Sequence, residues 1–133
     1  MINRFFSSNL KKINWVLVGV SHPGNLGATL RALKNMGCNA PILVDPERKG
    51  IKNCEETKVR ASHAVDMIEK IKECSIENAI SQSNKVIGFT SRQRNIQPPK
   101  MCFDKMMVDI INLIVASSKF EVSFVFGGEK SGL

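Results

Sequence analysis

The sequence predicts an α/β fold built on a mostly parallel sheet. Three observations predict it: short apolar runs recur along the chain, amphipathic runs separate them, and loops rich in glycine, serine and arginine follow them in place of tight hairpin turns. With 133 residues and 43% hydrophobic content, the chain is long and apolar enough for one domain with a real core.

The first strand is read over Trp15–Val20, and residues 1–14, polar and basic, are read as a loosely held N-terminal arm. Pro23-Gly24 then forces a turn, Asn25 stands where an N-cap belongs, and a helix follows to Met36-Gly37. On a helical wheel Leu26, Leu30, Leu33 and Gly37 share one face, whereas Arg31 points away from it with Gly27 one turn before. Ala40–Asp45 reads as the second strand, closed by Pro46. Strand, helix and strand within about thirty residues make a βαβ unit, which requires parallel pairing and a right-handed crossover.

A charged loop is read over Glu47–Asn53 and a short helix carrying Lys58 and Arg60 over Glu55–Ala64; Asp66–Ile71 suits a weak strand or a helix start equally. Ser75 caps a helix read to Ser83, and Lys85–Thr90 is a strand running into the loop Ser91-Arg92-Gln93-Arg94-Asn95. Phe103–Ser118 is a helix apolar on so wide a face that it is either sandwiched or partly an interface. Glu121–Phe126 is the last strand, followed by Gly127-Gly-Glu-Lys-Ser-Gly-Leu133.

Lysine and arginine number 19 against 12 acids, a formal net charge of +7 spread along the chain, which favours an anionic partner and RNA or DNA first. The four cysteines (Cys38, Cys54, Cys74, Cys102) stand singly with no histidine partner, so no metal is expected, and they read as reduced cytoplasmic thiols. The longest apolar stretch, near Ile110–Ala116, is far short of the roughly 20 residues a membrane span needs. Gly19, Gly24 and Gly27 have the wrong spacing for a dinucleotide fingerprint, and no P-loop, serine triad or carboxylate pair is present. His22 and His63 are isolated.

In a parallel sheet the loops after Val20, after Thr90 and after Phe126 fall on one edge. Glycines there let backbone groups approach a ligand, Glu129 can accept hydrogen bonds, and Arg31, Arg92 and Arg94 can fork onto phosphate. Each also has a plainer reading, as a strand end or a solvated loop charge.

His22-Pro-Gly-Asn-Leu-Gly-Ala-Thr-Leu-Arg31-Ala resembles the first motif of the SPOUT class of RNA 2′-O-ribose methyltransferases (the SpoU/TrmH family), and Phe124-Val-Phe-Gly-Gly-Glu-Lys-Ser-Gly-Leu133 resembles the second. The intermediate Gly88-Phe-Thr-Ser-Arg-Gln-Arg94 is similar to the TrmJ branch, which methylates pyrimidine ribose in the tRNA anticodon loop. The resemblance covers 15–133 and implies a trefoil-knotted α/β fold, a homodimer, tRNA as substrate and S-adenosylmethionine as methyl donor. Arg31 would match the catalytic arginine and Asn25 the asparagine supporting it. Thr90, Ser91, Gly127, Glu129, Gly132 and Leu133 would line the cofactor pocket or its dimer edge, with Arg92 and Arg94 on tRNA phosphates.

Two departures stand out. Gly128 occupies a position where relatives often carry Pro or Arg. The family's third motif should follow Leu133, so the expectation is an incomplete knot, a doubtful dimer and a chain inactive as it stands, either a fragment of a longer protein or a truncated gene product. The alternative is a noncatalytic RNA-binding remnant.

Overall fold

The computed structural model describes residues 8–93, 95–96 and 99–133. Five strands, β1 (Ile13–Val18), β2 (Ile42–Val44), β3 (Lys72–Glu73), β4 (Lys85–Phe89) and β5 (Val122–Phe126), form one sheet in the order β3-β2-β1-β5-β4. Every pairing is parallel, with Val16 opposite Ile42 on one side of β1 and Val125 on the other. The helices that complete the αβ alternation or its connections include α1 (Pro23–Asn35), a 3₁₀ helix (Ile51–Asn53), α2 (Glu55–Ala61), a second 3₁₀ helix (Ser62–Lys70), α3 (Ile76–Ile80) and α4 (Phe103–Ala116).

The strand order fixes where the helices lie. The crossovers β1 to β2, β2 to β3 and β4 to β5 all step the same way across the sheet, so right-handed connections put α1, α2 and α4 on one face. The long return from β3 to β4 steps the other way and puts α3 on the opposite face. The packing agrees. Leu26, Leu30 and Leu33 of α1 meet Trp15, Leu17 and Leu43; Met106, Ile110 and Ile114 of α4 meet Ile13, Trp15 and Phe124. Ala79 of α3 sits against Val16, Val44 and Val125, the alternate residues of the same strands.

Strand β1 begins two residues earlier than its apolar run suggests. Ile13 pairs with Val122 and is buried, so Ile13 and Asn14 belong to the sheet and not to an arm. Lys12 is also tied down, its Nζ donating to the Ile114 carbonyl 3.0 Å away near the end of α4, where a cation suits the helix dipole. Gly19, with φ at +67°, ends the strand.

Helix α1 starts at Pro23, not after Asn25. His22 is the N-cap, its Nδ1 accepting from Gly24 N–H at 3.1 Å. Pro23 fits the first helical position because its ring presets φ and no donor is wasted there. Gly37, at φ +71°, lies past the helix end and not on the leucine face; Cys38 N–H returns to the Leu33 carbonyl.

The stretch Asp66–Ile71 proves helical up to Lys70, and His63 within that 3₁₀ helix meets Asn35 through its ring. Strand β3, two exposed charged residues, gave no apolar signal to read. Helix α4 is half of each expectation: its 106–110–114 stripe is buried, whereas Val108, Ile111 and Val115 are exposed.

Thr57 is fully buried on α2, and its hydroxyl stands 2.7 Å from the Ile51 carbonyl and 3.1 Å from that of Pro23, joining the start of α1 to the segment before α2. Thr57→Val keeps the shape and removes the buried hydroxyl from both carbonyls, although the Ile51 carbonyl still accepts from the Cys54 N–H. We expect a loss of about 1–2 kcal/mol, read as a lower urea midpoint at unchanged m-value.

Candidate active site

Three loops leave the carboxyl ends of the neighbouring strands β1, β5 and β4, where ligands bind in open α/β sheets. The loop after β5 is folded tightly onto its neighbours. Gly132 N–H donates to the Gly128 carbonyl at 2.8 Å, and the two residues form an isolated antiparallel bridge. A Cβ on Gly127 would stand 2.0 Å from the Gly132 carbonyl carbon, and one on Gly128 would stand 2.5 Å from the Gly19 carbonyl oxygen. Only glycine allows this turn to close on itself and on the end of β1.

Glu129 is the joint between the first and last loops. Its Oε2 accepts from the Ser21 N–H at 3.2 Å and the Ser21 hydroxyl at 2.9 Å, and its Oε1 accepts from Asn25 Nδ2 at 3.1 Å. Desolvation pushes the carboxyl up, but its own main-chain N–H, the Asn25 amide and both Ser21 donors together outweigh it and hold the pKa at about 2. Asn25 therefore caps no helix end. It lies within α1 and spends its amide hydrogens on Glu129.

The joint separates two clefts. One, of about 360 Å³, is lined by Phe89, Thr90, Ser91, Arg92, Phe126 and the turn Gly127–Gly132. The other, of about 400 Å³, opens between α1 and the sheet and is walled by Trp15, Leu17, Leu33 and Phe126, with Asn25, Thr29 and Glu129 among its polar residues. Phe89 and Phe126 stack at 4.6 Å, and Thr90 Oγ1 accepts from the Arg92 N–H at 3.2 Å, which shapes the loop after β4.

The sequence-derived candidates distribute unevenly over this geometry. Thr90, Ser91, Arg92, Gly127, Glu129 and Gly132 line the smaller cleft, whereas Asn25 lines the larger one. Leu133 lines neither; it is half-buried against the Val16, Val44 and Val125 cluster. Arg31 is exposed on α1, about 120° round the helix from Asn25, and lines neither cleft. Arg94 lies outside the described residues. Gly27 does not leave space beside Arg31: it is buried against α2. Ser21 was missed by the sequence reading, although a hydroxyl just before His22-Pro23, at the end of β1, was the available signal. No group of three or more His, Cys, Asp or Glu among the described residues could hold a metal.

The depressed Glu129 pKa has a defined pH signature. A carboxyl whose folded value lies below its ordinary 4.5 contributes stability above about pH 4.5 and loses it as pH falls toward about 2. The excess thermal stability of the wild type over Glu129→Gln should therefore be full at pH 6 and shrink steadily below pH 4.5. Because Glu129 is exposed, solvent screening keeps this excess small.

Residues 12–133 match the model of the SpoU rRNA Methylase family. The chain belongs to that family. Among curated SpoU-type relatives, it is 35% identical over 127 residues to the tRNA (cytidine/uridine/adenosine-2′-O-)-methyltransferase TrmJ of Pseudomonas aeruginosa strain UCBPP-PA14, covering 93% of this chain and 47% of that protein. It is 31% identical over 128 residues to the tRNA (cytidine/uridine-2′-O-)-methyltransferase TrmJ of Citrobacter koseri, covering 93% of this chain and 49% of that protein. The chain spans about half the length of these curated relatives. Among solved structures, a probable methyltransferase from Bordetella pertussis Tohama I superposes with a TM-score of 0.86 at 26% identity, over 96% of this chain and 75% of that one. TrmJ from Z. mobilis ZM4 shares the fold, with a TM-score of 0.73 at 23% identity over 90% of this chain and 51% of that one. Glu129 joins the segments His22–Ala32 and Phe124–Leu133, both inside the span matched by the SpoU family.

Proposed function

We propose that this chain carries the methyl-transfer site of a tRNA 2′-O-methyltransferase of the TrmJ kind, using S-adenosylmethionine on a pyrimidine ribose of the anticodon loop in the cytoplasm. One observation supports the reading most: Glu129 ties the Asn25 motif to the glycine turn beside a cleft of about 360 Å³, within a chain similar to TrmJ over 93% of its length.

The residues present fit the donor. The cleft offers main-chain groups of a glycine turn that any Cβ would disrupt, hydroxyls of Thr90, Ser91 and Ser131, and the Phe126 ring. Glu129, ionised throughout the neutral range, suits a cationic sulfonium nearby. When bound, such a donor would supply an electrophilic methyl group for the ribose oxygen, with the C–S bond broken to leave a neutral thioether and the hydroxyl proton passing to solvent. On this reading the chain's own residues do the orienting. Asn25 keeps its amide oxygen for a ligand because its amide hydrogens face Glu129. Arg31, a guanidinium with pKa above about 12, is a poor base; it holds substrate phosphate and eases charge at the 2′-hydroxyl. Arg92 and Arg94 contact tRNA phosphates, as the formal charge of +7 favours.

No helix among the described residues is long and apolar enough to cross a membrane. The homodimer that the family resemblance implies is read by light scattering on the sample used for binding. The deciding experiment is calorimetric titration of S-adenosylmethionine, followed by transfer of labelled methyl to unmodified tRNA. Saturable binding and a labelled ribose 2′-O-methyl product support the reading. The Pseudomonas relative is named for adenosine as well, so the labelled nucleoside must be identified and not assumed. Binding of tRNA with no uptake of S-adenosylmethionine would favour a noncatalytic RNA-binding module instead.

A further inference from the structure

We propose that Ser21 is a positioning residue of this site: it clamps one oxygen of Glu129, so that the other oxygen holds the Asn25 amide in a single orientation. The inference rests on the methyl-transfer reading for its chemical purpose, but its geometry stands apart from that reading.

Glu129 sits on an exposed turn, and a glutamate there has several rotamers to lose. Two donors from one residue remove that freedom. The Ser21 hydroxyl, at 2.9 Å, makes the shortest of the three side-chain contacts, and the Ser21 N–H adds a second donor to the same Oε2. This occupancy leaves Oε1 to Asn25 Nδ2 at 3.1 Å.

Ser21 can act as a clamp because the two residues just before it are fixed through their backbones. Gly19 N–H donates to the Val44 carbonyl at 2.9 Å, and the Val20 carbonyl accepts from Glu47 N–H at 3.1 Å. The anchor is thus the chain just past the end of the central strand, held by backbone bonds to the end of β2 and the segment after it. Asn25 is held from its other end by α1, where its carbonyl accepts from the Thr29 hydroxyl at 2.8 Å. With both ends fixed, the Asn25 amide cannot flip without breaking the bond to Glu129. Its Oδ1 remains the acceptor offered to a ligand. Arg92 and Lys130 line the neighbouring cleft and are untouched by a change at Ser21.

The test uses Ser21→Ala, which keeps the main-chain donor and removes the hydroxyl, and Ser21→Thr, which restores a hydroxyl. The first readout is the nitrogen-15 resonance of the Asn25 side-chain amide followed from pH 7 downward, with circular dichroism confirming the fold at each point. In the wild type the resonance should hold to about pH 3, because a clamped carboxylate resists protonation. In Ser21→Ala the change should begin about one pH unit higher, and Ser21→Thr should return it. The second readout is the rate of methyl transfer to tRNA at saturating donor. Ser21→Ala should lower kcat about tenfold with little change in the KM for S-adenosylmethionine, with Ser21→Thr recovering most of it.

An unmoved titration in Ser21→Ala, or a kcat loss that Ser21→Thr fails to recover, would overturn the clamp. A wild-type chain with no transfer at all would count against the methyl-transfer reading, and the amide titration would then decide the clamp alone.

Discussion

Gly27→Ala should destabilise the protein although alanine is the better helix former. A Cβ at this position would stand 2.4 Å from the Thr57 carbonyl oxygen, 2.7 Å from Arg60 Cβ and 3.0 Å from the Ala61 amide nitrogen. Two of these neighbours are backbone atoms of α2, which no rotamer change can move aside. Helix α2 would have to shift outward as a body, pulling Thr57 from the Pro23 and Ile51 carbonyls it serves. Overpacking of this kind costs about 1–3 kcal/mol and sometimes more, whereas replacing glycine gains about 1 kcal/mol of helix propensity. With the closest contact on backbone, the upper part of that range applies, and a net loss of about 2 kcal/mol is expected. For a domain of this size that lowers the thermal midpoint by roughly 6–8 °C. The exposed neighbour Ala28 provides the control: Ala28→Gly should lose about 1 kcal/mol from propensity alone. A Gly27→Ala chain more stable than the wild type would show that α1 and α2 do not pack as closely as described.

Gly27 also marks the boundary of what the sequence could reveal. Its place in an amphipathic run was plain, but whether it left room for a ligand or for another helix depended on where α2 lands, and that is a tertiary fact. The parallel sheet was legible because β1, β4 and β5 are short apolar runs and their crossovers are long enough to be helical. Strand β3 was not, since Lys72 and Glu73 pair with β2 through backbone groups and leave no side-chain pattern. The start of α1 was misplaced because Pro23-Gly24 signals a turn and an N-terminal turn of helix equally well. His22 decided it by accepting from Gly24, a role that histidine takes less often than asparagine or serine.

The candidate site divides the same way. That three loops share one edge followed from strand parallelism, and Glu129 stood out as an acceptor among glycines. That its partners are Ser21 and Asn25, more than 100 residues earlier, could not be read from spacing. The close fit of Gly128 over Gly19 is what brings them within reach. Asn25 illustrates the cost of local reasoning: it was assigned to a nearby backbone donor and instead serves a carboxylate from the other end of the chain.

Arg31→Ala should leave stability nearly untouched and remove methyl transfer. Arg31 is exposed, lines neither cleft, and is set about 120° round α1 from Asn25, so its loss opens no cavity and strands no buried group. Surface substitutions of this type fall within about 0.5 kcal/mol. Its proposed work is done on substrate, where a forked cation can hold a phosphate and ease charge at the ribose hydroxyl, and losing such a group lowers rates by about 10²–10⁴-fold. Arg31→Lys keeps the charge without the planar fork and should fall between the two. Pairing Arg31→Ala with Glu129→Gln sharpens the test. Among the described residues the two side chains share no hydrogen-bond partner, so their effects on the urea midpoint should add. Their effects on transfer should not add if both act on one bound substrate, because once one is gone the other orients a reactant already misplaced. Additive losses in rate would mean that Arg31 serves tRNA binding alone, and full activity in Arg31→Ala would remove it from the reaction.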